Sequence, residues 1–184
     1  MASLPDPIPS LTGEGLKVYQ DIALRRSAKG VHHLGPYVPL LNDPELAKRI
    51  EQLGYYYKYQ ATLPRDIYQF IVLVFAKHCG VEFEWLDHIA AARAAGLSET
   101  LIDAIHKGEA TFPAPFDTVH ACMGYALKYQ SIPKPLQDEI IAAYGIAGLL
   151  EIVTLCGFYG LIGMINACFD VPLPPGHTPS GQNA

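Results

Sequence analysis

The sequence predicts an all-α protein built as a single helical domain. Strand signals are scarce, since few segments alternate apolar and polar residues between turn residues, whereas apolar residues recur at helical spacing almost everywhere after residue 14. Glycine and proline then divide that periodic stretch into pieces of helical length. At 184 residues the chain is long enough for one well-buried core and too short for two comfortable domains. The expected organisation is an N-terminal arm over residues 1–13, a helical domain over 14–170 and a C-terminal tail over 171–184.

A first helix is expected from about Glu14 to Arg26. The stretch "SAKGVHHLGPYVPLL" that follows is read as irregular, because Gly30, Gly35, Pro36 and Pro39 interrupt regular structure. Asn42 or Asp43 caps a second helix, "PELAKRIEQLGYYYKY", in whose first turn Pro44 is tolerated because it lacks only an amide hydrogen that would be unpaired there. Pro64 opens a third, "RDIYQFIVLVFAKHC", and Gly80 interrupts the chain before a fourth, "EFEWLDHIAAARAA", which stops at Gly96. Ser98 and Glu99 begin a short fifth helix that ends near Lys107 and Gly108. Beyond the loop "TFPAPF", two or three further helices reach Phe169. The tail "VPLPPGHTPSGQNA" cannot pack as an element by itself and reads as a mobile end or an arm across a neighbouring subunit.

Half of the residues are hydrophobic and 17% are charged, which leaves apolar surface for subunit contacts to cover. A formal charge of −5 and the lack of any Lys and Arg cluster with interleaved aromatics argue against nucleic acid as a partner. The run "IVTLCGFYGLIGMINACF", 152–169, carries no charge, yet it is flanked by Glu151 and Asp170 with no basic anchor, and it reads as a buried core helix and not a membrane span. Prolines in "MASLPDPIPS" do not suit a signal peptide, so a cytoplasmic location is expected. The four cysteines form no CxxC pair and read first as small buried hydrophobes.

Chemistry concentrates in "VEFEWLDH", residues 81–88. On a helix Glu84 and His88 are four positions apart and Trp85 is three before the histidine, so the three share one side. A carboxylate beside an imidazole favours its protonated form and can hold one tautomer, which suits general acid–base catalysis, while Trp85 would supply an apolar wall. Cys79 is a candidate lone redox thiol. Arg65 and Tyr68 are candidates for holding a substrate carboxylate and a flat ring. His32 and His33 lie in a loop; folded over the fourth helix, they could join Glu84 and His88 in binding substrate or a divalent metal, although adjacent histidines do not easily face one ion, and no metal is assigned.

Residues 35–109 as a whole, with the signposts "GPYVPLLNDPEL", "EFEWLDH", "AARAAGLSETLIDAI" and the later "FDVPLPPG", resemble the carboxymuconolactone decarboxylase family, whose broader superfamily includes the alkyl hydroperoxidase D-like proteins. The resemblance implies an all-α fold, assembly as a homotrimer or homohexamer, and pockets near subunit contacts. In the peroxidase branch a CxxC pair precedes the motif histidine and a glutamate lies a helix earlier. Matching His88 to that histidine puts the cysteine positions at Val81 and Glu84 and the glutamate at Gln69. Valine and glutamate cannot form a disulfide and a neutral amide cannot serve as a carboxylate base, so dithiol peroxidase chemistry is not expected. What the resemblance implies instead is a cofactor-independent lyase, decarboxylase or isomerase acting on a small organic acid or lactone. His88 is then the general acid and base, Glu84 is its orienter or the second proton-transfer group, and Gln69 is a substrate-binding candidate. A peroxidase using Cys79 alone and a non-catalytic binding protein on the same scaffold are the alternatives.

Overall fold

The computed structural model describes residues 3–28 and 30–178. Among them the chain is all-α, with eight α-helices, a short 3-10 turn at Ile8–Ser10 and no strand. The helices are α1 (Gly13–Ser27), α2 (Tyr37–Leu40), α3 (Pro44–Tyr59), α4 (Arg65–Cys79), α5 (Glu82–Ala94), α6 (Glu99–Lys107), α7 (Phe116–Leu127) and α8 (Lys134–Cys168). The ends of the expected arm and tail, residues 1–2 and 179–184, lie outside the described residues.

The helix limits follow the local chemistry. Asp43 caps α3 by accepting from the Leu46 amide at 3.1 Å, and Ser98 caps α6 by accepting from the Leu101 amide at 3.2 Å. Gly80, at φ 66°, turns the chain out of α4 in a left-handed conformation that a side chain would resist, and the Val81 amide closes the end on the Ala76 carbonyl. One expectation is corrected. The stretch read as irregular after α1 contains the single turn α2, which Pro36 precedes and Pro39 occupies, because a proline in a first turn deprives the helix of no bond.

By contacts the chain forms two compact units, Met1–Tyr59 with Met164–Ala184, and Gln60–Gly163. In the first, α3 packs on α1 and α2. In the second, α4 is the central element, packed on α5, α6 and α7. Residues 67–76 of α4 are buried without interruption, the pattern of a helix covered on all sides.

The long helix α8 is broken at Gly145, whose φ of 71° and ψ of 175° are not helical. Its second segment buries Ile152, Leu155, Phe158, Tyr159 and Ile162 on one side, while Ile146, Leu150 and Met164 are exposed. By length and composition α8 is apolar enough to cross a membrane, and 33% of its most apolar stretch is buried inside the protein.

Candidate active site

Helix α5 carries Glu84 and His88 on the side it turns to α4, and both are buried, at 3% and 4% exposure. His88 Nε2 lies 3.8 Å from Glu84 Oε2, close enough for electrostatic coupling and beyond ordinary hydrogen-bond length. From α4, Gln69 directs Oε1 at His88 Nδ1 across 2.9 Å. From α8, the Tyr159 hydroxyl lies 3.0 Å from His88 Nε2 and is itself hydrogen-bonded to the hydroxyl of Tyr68, again from α4. The Tyr159 ring stands edge-on to the imidazole at 87°, with Phe75 and Phe158 around it.

These acceptors set the direction of the protons. Gln69 Oε1 can only accept, so Nδ1–H donates to it. In the neutral ring Nε2 then accepts from the Tyr159 hydroxyl, and the Tyr159 oxygen in turn accepts from Tyr68. When the ring is protonated, Nε2–H donates to the Tyr159 oxygen beside the Glu84 carboxylate and the hydroxyl chain reverses. Two proton arrangements therefore fit one set of heavy atoms. Burial, with the neighbouring Tyr68 and Glu84 adding to it, pushes the Tyr159 hydroxyl well above the ordinary tyrosine range, so it stays a donor at neutral pH.

The other sequence candidates fall in different places. The exposed Arg65 holds its guanidinium 4.3 Å from the centre of the buried Tyr68 ring. Trp85 is half-buried and pairs with His106 of α6 at 5.1 Å between ring centres. His32 and His33 belong to the other compact unit. No set of three His, Cys, Asp or Glu side chains among the described residues converges as a metal site. Cys79 is exposed at the last residue of α4; partial burial pushes its thiol up, and the carbonyl end of a helix also disfavours a thiolate.

Sequence reasoning passed over Tyr159 and Glu151. Each left a signal: a tyrosine inside the charge-free run 152–169 must find a partner for its hydroxyl, and a carboxylate at the edge of that run must find donors. Glu151 accepts from the Thr62 amide, the Thr62 hydroxyl and the Leu63 amide, all within 2.9–3.0 Å, and so fixes the approach to α4.

No family model matches the chain, and no curated protein matches it. Among solved structures it is similar to the debrominase Bmp8, crystallised as a cysteine-to-alanine variant in complex with 2,3,4-tribromopyrrole. The TM-score is 0.65, with 14% identity over 86% of each chain. The likeness is one of fold.

Proposed function

We propose that the chain is a proton-transfer enzyme of the carboxymuconolactone decarboxylase type, a cytoplasmic lyase or isomerase that acts on a small organic acid or lactone without a cofactor. The observation that carries this reading is the buried hydroxyl–imidazole chain Tyr68–Tyr159–His88, held by Gln69 and flanked by Glu84. Hydrogen-bonded chains of this kind in a dry interior move a proton with little rearrangement.

In the decarboxylase direction, the bond to the substrate carboxylate breaks and carbon dioxide leaves. The electron pair remains on carbon as an enolate, and a proton held as the His88 imidazolium is passed to that carbon. In an isomerase the same chain first takes a proton from carbon and later returns it to another. In this reading Glu84, 3.8 Å from the ring, stabilises the charged imidazole, and the guanidinium of Arg65, over Tyr68, pairs with the substrate carboxylate. Assembly as a homotrimer or homohexamer belongs to the same proposal.

One observation favours a second reading, a non-catalytic small-molecule-binding protein: both ring nitrogens of His88 already have partners inside the protein. Incubation of the wild type with aromatic acids and lactones, followed by mass spectrometry for products, separates the two. The enzyme reading expects product from at least one compound and a loss of about 100-fold or more in its turnover in His88→Gln with helicity retained. Unchanged turnover in that variant would remove the assignment of His88, and ligand-induced stabilisation with no product from any hit would leave the binding reading.

A further inference from the structure

The second segment of α8 has two unlike sides. On one, Glu151 accepts from the Thr62 and Leu63 amides and the Tyr159 hydroxyl is bonded to that of Tyr68, so this side is committed to the protein's own core. On the other, Ile146 and Leu150 are 66% and 59% exposed, Thr154 and Gly157 are exposed, and Val153 and Leu161 are half-buried. At 3.6 residues per turn these positions fall within a stripe about 100° wide that runs for about four turns. It carries no charged side chain, and the Thr154 hydroxyl already donates to the Leu150 carbonyl at 2.7 Å. A continuous apolar stripe of this kind on a protein surface marks a place of interaction.

Its shape and charge fit a second copy of itself. Gly157 is a gap in the stripe: a Cβ built there would meet nothing within 4 Å, whereas at Gly160 it would meet Phe75 at 3.8 Å and at Gly163 it would meet Val81 at 3.0 Å. Leu150, about two turns earlier, is the projection. In an antiparallel pair of α8 helices with a two-fold axis beside Val153 and Thr154, each Leu150 seats over the partner's Gly157 and each Ile146 meets the partner's Leu161. Large therefore meets small twice, as a self-complementary contact requires. An uncharged face is also where two chains of formal charge −5 can approach without repulsion. Lipid is a poorer match, since α8 carries one basic residue, Lys134, against Asp138, Glu139 and Glu151.

We propose that this face joins two copies of the chain through an antiparallel two-fold α8 contact that crosses at Val153 and Thr154. The contact implies an even number of copies and does not rest on the reaction proposed for His88.

Sedimentation equilibrium of the full chain tests it. The wild type should assemble in twos or multiples of two at micromolar concentration. Gly157→Leu fills the gap, touches nothing in its own chain and favours the helix, so it should keep the fold and raise the dissociation constant about tenfold or more. Leu150→Glu brings a charge into the contact twice and should act in the same direction. The double variant Ile146→Cys with Leu161→Cys should give a disulfide-linked dimer under mild oxidation, beyond what either single variant gives, because within one helix the two positions are about 22 Å apart. A monomeric wild type overturns the proposal, whether or not it floats with phosphatidylcholine vesicles, and so does an assembly of three copies or an undiminished assembly in both folded variants. If neither Gly157→Leu nor Leu150→Glu folds, absence of the crosslink overturns it instead.

Discussion

Tyr159 joins residues that are remote in sequence, and its hydroxyl touches both Tyr68 and His88. Tyr159→Phe keeps the ring and deletes that link. Two buried polar groups then lose a partner, and chemical denaturation should show a loss of about 1–3 kcal/mol. If the hydroxyl also carries the proton, turnover of any identified substrate should fall far more than stability does. A variant of wild-type stability would show that the network contributes nothing to the fold. The Glu84 and His88 pairing was legible in the sequence because a helix brings i and i+4 together whatever surrounds it. The Tyr159 contact was not, because 71 residues separate it from His88 and no local rule pairs them.

Helix boundaries were readable for the same local reason, through Asp43, Ser98, Gly80 and Gly108, each of which acts within one turn of its own position. The start of α4 is different. Proline opens it, but the preceding backbone is held by Glu151 across nearly ninety residues, with Leu63 N–H at 2.9 Å as one of its donors. Glu151→Ala should therefore destabilise by about 1–3 kcal/mol, since buried amides lose their acceptor, while Glu151→Gln, which keeps one carbonyl, should cost less. Equal losses in the two variants would mean that the bonds are not what matters there. The break in α8 is a second element-scale case. Gly145 sits at φ 71° and ψ 175°, a region almost closed to other residues, so Gly145→Ala should cost on the order of 1–3 kcal/mol in urea unfolding. A neutral result would show that the segment straightens at no cost.

For the whole molecule, burial sorts the four thiols. Cys122 and Cys156 are buried, and burial pushes them up to about 11 and about 12, whereas Cys79 and Cys168 are exposed. Alkylation of the native protein near pH 8 should modify the exposed pair and spare the buried pair until denaturant is added, as peptide mass spectrometry would report. The same shifts set a pH dependence. A thiol raised in the folded state stays protonated there after it has ionised in the unfolded chain, so the unfolded state binds fewer protons and stability falls as pH rises from about 9 toward 12. Cys156→Ala should flatten that alkaline decline in a denaturation series. An unchanged slope would show that the thiol does not contribute to it.

Composition and spacing alone determined that this chain is helical, where most of its helices begin and end, and that an acid and an imidazole share a side of α5. Those are consequences of backbone geometry and of contacts within a turn or two, which every copy of the sequence carries with it. Packing decided the rest: that α4 is covered on all sides, that Tyr159 and Gln69 clasp the two nitrogens of His88, and that Trp85 turns to His106. Each of these joins residues from different helices, and which side chains meet depends on how whole helices fit against one another.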